Sequence, residues 1–154
     1  MISELNIPGS LVQISYDTCN MYPSIPIDET LEITLRELEK DESLKERTNW
    51  KPIWTQTDAA PIGKSFSGCI CGIFMADFEK KNILHNPNLP FKPLFWKRFV
   101  DDVYCIWQHG IRRAEAFLKF INAAHPRIKW TSEMEENDAL PFTDLNIKEL
   151  VINL

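Results

Sequence analysis

Apolar and polar residues follow two different periods along the chain, and these periods predict where strands and helices lie. Apolar residues occupy every second position from Val12 to Tyr16, which predicts a strand over residues 11–16 that runs directly into Asp17. Apolar residues recur at steps of three and four over residues 65–81 and 112–123, which is the spacing of helices with one face toward a core. The chain is therefore a mixture of strands and helices.

A further helix is predicted over residues 28–46. Asp28 stands where a side chain can cap the first turn, and Leu31, Leu35 and Leu38 recur at steps of four and three. We expect these leucines to form the apolar stripe that faces the core.

A hairpin is predicted around two adjacent carboxylates. Residues 94–99 and 103–107 are rich in aromatic and β-branched side chains, and they flank Asp101 and Asp102. The sequence therefore predicts a hairpin that carries both carboxylates at its tip.

Two more strands are predicted toward the end of the sequence, over residues 128–134 and, with weaker alternation, over residues 142–150. The order strand, helix, helix, hairpin, helix, strand, strand requires much antiparallel pairing. We therefore expect an α+β fold, in which an antiparallel sheet has its helices packed on one face. We also expect a single domain over residues 1–154.

Composition and charge limit the kinds of partner, such as nucleic acid or membrane, that the chain is expected to bind. The 154 residues include 17 Lys and Arg against 22 Asp and Glu, for a net charge of −5. This balance argues against a free-standing module that holds nucleic acid by charge alone, but it leaves room for a catalytic piece. No apolar run approaches the ~20 residues of a membrane helix, so we expect no membrane association.

Three aspartates occupy positions where the packing of strands and the formation of hairpins give no reason for a carboxylate. Asp17 follows an apolar strand, and Asp101 and Asp102 interrupt the most aromatic pair of strands. Adjacent carboxylates repel each other and lose hydration, whereas a divalent cation such as Mg²⁺ would reverse the sign of that interaction. A solvated turn at Asp101 and Asp102 and an Asx turn at Asp17 are the alternative interpretations.

Four stretches around these residues occur in a distinctive order. They read Tyr-Asp-Thr-Cys-Asn-Met-Tyr-Pro-Ser-Ile-Pro (16–26), Ala-Pro-Ile-Gly-Lys-Ser-Phe-Ser-Gly (60–68), Arg-Phe-Val-Asp-Asp-Val-Tyr-Cys-Ile-Trp (98–107) and Glu-Met-Glu-Glu-Asn-Asp-Ala-Leu-Pro-Phe-Thr-Asp-Leu (133–145). Together, over about residues 10–150, they resemble the palm of a reverse transcriptase. Among reverse transcriptases they are most similar to those of Penelope-like retroelements.

The resemblance implies a two-metal site and a reaction. Asp17 and Asp101 would be the principal ligands of Mg²⁺, Asp102 the third acidic member, and the backbone carbonyl beside Asp17 a further ligand. Two Mg²⁺ ions are expected, and Mn²⁺ would substitute for them. The implied reaction is RNA-directed DNA synthesis, which adds deoxynucleotides to the 3′-hydroxyl of a primer. The implied partners are an RNA template, a DNA primer and deoxynucleoside triphosphates, in an intracellular and, for the parent element, nuclear setting.

The same resemblance assigns residues to the nucleotide. Tyr22 resembles the residue that packs under the sugar and excludes a 2′-hydroxyl, while Gln56 and Gly63 belong to the region against the incoming nucleotide and the template. Lys129 is a candidate proton donor to pyrophosphate. Plain core packing is the alternative for Tyr22, and the solvent face of a strand is the alternative for Lys129.

The sequence also departs from the family pattern. Ala59 stands where the family has glycine, and neither the fingers nor the thumb of a complete polymerase is recognisable. We therefore expect a fragment that is weakly active or inactive by itself. Two alternatives stay open, namely a catalytically inactive remnant of a retroelement polymerase and a two-metal nuclease, which would leave Tyr22 and Gln56 unexplained.

Overall fold

The computed structural model describes residues 11–40, 65–137 and 139–148. In chain order the elements are β1 (Val12–Thr18), α1 (Met21–Ser24), α2 (Ile27–Glu39), α3 (Ser65–Glu79), a π-helical turn (Lys80–Leu84), β2 (Phe95–Phe99), β3 (Asp102–Trp107), α4 (Ile111–Ala123), β4 (Trp130–Met134), β5 (Ala139–Phe142) and β6 (Leu145–Lys148). The chain divides into two compact units, one drawn from residues 1–19 and 88–154 and the other from residues 20–87. The predicted α+β class with an antiparallel sheet is confirmed.

The first unit is built on a four-stranded antiparallel sheet with the strand order β2-β3-β1-β4. β1 is central, because it pairs with β3 on one side and with β4 on the other. The chain leaves β1, returns as the hairpin β2–β3, and crosses through α4 to β4, which is a split βαβ arrangement. A separate hairpin of β5 and β6 belongs to the same unit.

One face of the four-stranded sheet is apolar and is covered by α4. Side chains alternate between the two faces along each strand, and this face carries Tyr16, Trp96 and Trp107. The ring of Phe117 in α4 lies with its centroid 5.8 Å from that of Tyr16, 5.8 Å from that of Trp96 and 5.2 Å from that of Trp107. Phe117 and Ile121 are buried, as the periodicity of this helix predicts.

The end of α4 is tied to β4 by one amide side chain. Asn122 donates from Nδ2 to the carbonyl of Trp130 at 3.0 Å and accepts at Oδ1 from the Trp130 amide at 2.8 Å. The ammonium of Lys129 donates to the carbonyls of Asn122 at 2.8 Å and His125 at 3.3 Å. These bonds satisfy carbonyls at the helix C-terminus, where a positive charge is also favoured.

The second unit is helical in its described part. The predicted helix over residues 65–81 is confirmed as α3, and its last residues continue into the π-helical turn. α2 packs against α3, and Arg36 and Lys81 both form ion pairs with Asp77. Among the helices of the described ranges, none is long and apolar enough to span a bilayer.

The predicted apolar stripe of α2 is wrong. Leu35 is 52% exposed and Leu38 is 46% exposed, whereas Thr30 and Ile33 are buried. The side of α2 that carries Ile33 faces the core. Tertiary packing therefore decides which side of the helix is buried, against the prediction from the spacing of the leucines. Leu31 is only half-buried.

The predicted start of α2 is also corrected. Pro26 occupies the N-cap position and Asp28 lies inside the first turn, so Asp28 does not cap the helix. The Pro26 carbonyl instead accepts hydrogen bonds from the Thr30 amide at 3.1 Å and the Thr30 hydroxyl at 2.6 Å. The part of the predicted helix beyond residue 40, and the loop predicted over residues 48–64, lie outside the described residues.

The strand predicted over residues 142–150 is confirmed only in β6, over residues 145–148; residue 142 is instead the end of β5, and residues 149 and 150 lie outside the described residues. A turn at Thr143 and Asp144 separates β5 from β6, and the closing pair of the hairpin is Phe142 with Leu145. Thr143 has a φ of 53°, a left-handed conformation that reverses the chain. Alternation alone did not reveal this turn because it contains neither glycine nor asparagine.

Phe117→Ala should lower the free energy of unfolding by about 3–5 kcal/mol, because it empties the centre of the aromatic cluster. Urea unfolding followed by tryptophan fluorescence measures the change. Phe99→Ala is the matched control, since Phe99 is 65% exposed and its removal should cost at most about 0.5 kcal/mol. Equal losses in the two variants would contradict the central place of Phe117 in the core.

Candidate functional site

β1 and β3 bring two of the predicted aspartates together. Asp17 lies directly opposite Asp102 in the antiparallel register. The Thr18 amide donates to the Asp101 carbonyl at 3.2 Å, so these two residues form a hydrogen-bonded pair. Because hydrogen-bonded and non-hydrogen-bonded pairs alternate, Asp17 and Asp102 form a non-hydrogen-bonded pair, in which side chains lie closer together. The predicted hairpin is confirmed, with Asp101 in its turn and Asp102 at the start of β3.

The aspartate pair lies on the polar face of the sheet, which is the face opposite α4. Gln13, Ser15 and Asp17 alternate along this face of β1, and Thr131 of β4 lies opposite Asp17. A pocket of about 640 Å³ lies here, within the ~300–1,000 Å³ range of small-molecule sites. Its lining residues are Ser15, Asp17, Asp102, Thr131, Ser132, Glu133, Pro141, Phe142 and Thr143.

The turn that carries Asp101 is strained. Val100 has a φ of 59°, in the left-handed region that β-branched residues avoid. The Arg98 guanidinium donates to the Val100 carbonyl at 2.9 Å, and the Thr18 hydroxyl donates to the Asp101 carbonyl at 3.2 Å. Strain of this kind concentrates at functional sites. The sequence gives one signal of this strain, because the short loop between β2 and β3 lacks the Asn-Gly or Asp-Gly pair that usually forms such turns.

Electrostatics at the site disfavour the ionised carboxylates. Partial burial raises the pKa of Asp17, the charge of Asp101 raises it further, and a hydrogen bond from the Thr18 amide opposes the shift. Partial burial also raises the pKa of Asp102, with further contributions from Asp101 and then Asp17. Each carboxyl group therefore holds its proton more tightly than a free aspartate does.

The oxygen donors of the pocket suit a hard divalent cation such as Mg²⁺. Asp17, Asp102 and Glu133 contribute carboxylates, and Thr131 contributes a hydroxyl. Of the residues that the structure describes, no Lys, Arg or His lines the pocket, and Asp101 does not line it either. Across residues 11–40, 65–137 and 139–148, no three His, Cys, Asp or Glu side chains form a group that could hold a metal ion. The structure thus brings two of the three aspartates together across the sheet.

The other predicted site residues stand apart from the pocket lining or outside the described residues. Tyr22 is half-buried in α1 of the second unit. Gln56 and Gly63 fall outside the described residues. The ammonium of Lys129 is engaged by carbonyls at the end of α4, and Lys129 does not line the pocket. The roles assigned to these four residues stay predictions.

A hydrogen-bonded network on the polar face escaped the sequence-based predictions. The Tyr104 hydroxyl donates to Oε1 of Gln13 at 2.7 Å, and Nε2 of Gln13 donates to Oε2 of Glu135 at 2.7 Å. We call these three side chains the Tyr104–Gln13–Glu135 network. Its only sequence signal is a glutamine inside an apolar strand. No local pattern relates that glutamine to partners 91 and 122 residues away.

Comparison with known proteins assigns no family to the chain. No protein-family model matches it, and no curated protein matches it. The residues of the site and their placement therefore carry the functional interpretation.

Asp102→Asn should raise the melting temperature of the metal-free protein at neutral pH. The pKa of Asp102 is raised in the folded state, so the folded state binds a proton more readily than the unfolded state does. This carboxylate therefore destabilises the fold as the pH rises through its folded pKa. The gain from the substitution should shrink as the pH falls to the ordinary aspartate value of 3.8. Melts in a chelator between about pH 4 and pH 8 measure this dependence.

Asp77→Asn is the control of opposite sign, because Asp77 forms ion pairs with Arg36 and Lys81. This substitution should lower the melting temperature at neutral pH or leave it unchanged. A gain in Asp102→Asn that does not vary with pH would show that the effect is not electrostatic.

Val100→Asn should raise the free energy of unfolding by about 1 kcal/mol, because asparagine adopts the left-handed conformation more readily than a β-branched residue does. Val100 is 46% exposed, so little apolar burial is lost. Urea unfolding without metal measures the difference. Phe99→Asn, at the neighbouring extended position, should give no such gain. An equal gain there would assign the effect to the loss of an exposed apolar side chain.

Proposed function

We propose that the chain is the palm of an RNA-directed DNA polymerase, a reverse transcriptase similar to those of Penelope-like retroelements, and that it catalyses two-metal nucleotidyl transfer. The observation that carries the proposal is the pairing of Asp17 with Asp102 across β1 and β3, where both line one pocket. The family pattern requires the first aspartate to meet the Asp101–Asp102 hairpin, although a long segment separates them. A strand order that pairs β1 with β3 meets this requirement and so supports the proposal.

Each residue of the pair has a definite task in this reaction. Asp17 and Asp102 would bind the cations, with Asp101 in the adjoining turn as the third acidic group. Mg²⁺ bound there would supply the Lewis acid that activates a primer 3′-hydroxyl and stabilises the pyrophosphate leaving group. Because the pKa values of Asp17 and Asp102 are raised, metal binding would displace protons and would strengthen as the pH rises.

The pocket supports a substrate that arrives together with cations. Asp17, Asp102 and Glu133 give it a negative lining, and no cationic side chain among the described residues lines it. A triphosphate is attracted to such a pocket only after divalent cations have neutralised the carboxylates. The hydroxyl groups of Ser15 and Thr131 can then donate hydrogen bonds to phosphate oxygens. These features fit deoxynucleoside triphosphates as substrates, with a DNA primer and an RNA template as partners.

A catalytically inactive remnant of such a polymerase is the second candidate. The observation in its favour is that, in the described ranges, no three acidic side chains form a group that could hold a metal ion. This candidate keeps the fold and the aspartate pair, but it predicts weak divalent binding or none.

Metal binding is the first test of the two candidates. A ligand that binds only the folded state stabilises it, by about 2.7 kcal/mol at a hundredfold excess over its Kd. Mn²⁺ should therefore raise the melting temperature of the 154-residue chain. The triple variant Asp17→Asn/Asp101→Asn/Asp102→Asn should lose this rise, whereas Asp28→Asn, which removes a carboxylate from α2, should keep it.

Primer extension measures the activity itself. With Mg²⁺, an RNA template and a DNA primer, the wild-type chain should add deoxynucleotides slowly, as expected of a fragment, and Asp101→Asn/Asp102→Asn should be at least about a hundredfold slower still. Full extension by this double variant would overturn the polymerase function. The absence of both extension and a rise in melting temperature with Mn²⁺ would favour the inactive remnant.

A further inference from the structure

The Tyr104–Gln13–Glu135 network crosses the polar face of the sheet beside the aspartate pair. Both of its hydrogen bonds are 2.7 Å long. The carboxylate of Glu135 can only accept, so Gln13 must turn its Nε2 toward Glu135 and its Oε1 toward the Tyr104 hydroxyl, which must donate. The chemistry of the partners therefore dictates the orientation of the amide and the direction of both bonds.

The network spans three strands at the register that pairs the aspartates. Tyr104 lies two residues from Asp102 on β3, Gln13 lies four residues from Asp17 on β1, and Glu135 directly follows β4. Side chains an even number of residues apart on a strand share a face, so Tyr104 and Gln13 lie on the face that carries the aspartates. Glu135 lies on the same face, because it is four residues from Thr131, which is opposite Asp17. A slip of β1 by one residue would turn Gln13 and Asp17 to the other face, so both hydrogen bonds and the aspartate pair would be lost together.

Packing and burial hold the network in place. The ring of Tyr104 lies edge to face with its centroid 6.1 Å from that of Phe95 and 5.8 Å from that of Phe142. At the other end, the Glu135 amide donates to the Gln13 carbonyl at 3.0 Å. Gln13 is 8% exposed, so water competes weakly for its side-chain hydrogen bonds.

We propose that Tyr104 and Gln13 are positioning residues, which hold β1 and β3 in the register that keeps Asp17 and Asp102 side by side. Like charges at directly opposite positions destabilise a strand pair, and the ladder between β1 and β3 ends with the Thr18–Asp101 bond, one residue beyond the site. The Tyr104–Gln13 hydrogen bond joins β3 to β1 and forms only in the correct register, and the Gln13–Glu135 bond, on the β4 side, fixes the orientation of the Gln13 amide. Its effect on metal binding rests on the proposed function, whereas its effect on the spacing of the aspartates does not.

NMR of the metal-free chain measures that spacing directly. The two Hα atoms of a non-hydrogen-bonded antiparallel pair lie close together, so the wild type should give a strong Hα–Hα NOE between Asp17 and Asp102. Tyr104→Phe keeps the ring and removes one hydrogen bond. It should weaken this NOE and speed hydrogen exchange of the Thr18 amide by about fivefold. The Mn²⁺ affinity, measured by calorimetry, should fall by about tenfold.

Three further variants separate positioning from general stability. Thr34→Val is the matched control, because it removes a hydroxyl that donates to the Thr30 carbonyl at 2.7 Å in α2. It should change neither the NOE nor the Mn²⁺ affinity. Gln13→Met breaks both bonds of the network and should exceed the effect of Tyr104→Phe. Glu135→Gln retains an acceptor oxygen for Gln13 and should preserve the NOE.

The outcomes are distinct for the two proposals. An unchanged NOE and an unchanged Thr18 exchange rate in Tyr104→Phe would overturn the positioning role, and this variant decides the matter even if Gln13→Met fails to fold. A wild-type chain that binds no Mn²⁺ would overturn the proposed function alone, because the NOE and the exchange rate need no metal.

Discussion

β1 lies between β3 and β4, and its register with β3 decides what the polar face of the sheet carries. The pairing with β4 brings Glu135 to Gln13, while in the register with β3 Asp17 meets Asp102 and Gln13 meets Tyr104. The same register places Tyr16 on the opposite face, against Phe117 of α4. A strand has a period of two residues, so one pairing sets both faces at once, and the core and the candidate site depend on each other.

The two faces contribute to stability with opposite signs. The apolar face buries a cluster of aromatic rings, which is the main favourable contribution in a core of this kind. The polar face collects carboxylates whose pKa values are raised, so ionisation of Asp17 and Asp102 works against the fold. Two β-branched turn residues near this face, Val100 and Thr143, adopt left-handed conformations. Packing of aromatic rings on the apolar face therefore offsets the cost of the neighbouring carboxylates and left-handed turn residues on the polar side of the sheet.

The elements with strong periodicity were predictable from the sequence, but which side of each helix is buried was less predictable. The hairpin of β2 and β3 and the helix α4 follow from local patterns, since their apolar residues meet the core at the expected spacing. In α2 the leucines have helical spacing, yet Leu35 and Leu38 are exposed and Ile33 is buried. Amphipathic spacing predicts that a helix forms, but the partner against which it packs decides which side is buried. The turn at Thr143 escaped prediction because a β-branched residue is an uncommon choice for that conformation.

The candidate site shows the same division. The sequence by itself determined the candidate site residues, because Asp17 follows an apolar strand and Asp101 and Asp102 interrupt the most aromatic pair of strands. It also determined that the two aspartates of the hairpin lie together. Only the tertiary structure decided that Asp17 faces Asp102, that Lys129 binds the end of α4, and that Gln13 links Tyr104 to Glu135. Those contacts join residues far apart in the chain, and they depend on strand order and register, which local patterns do not encode.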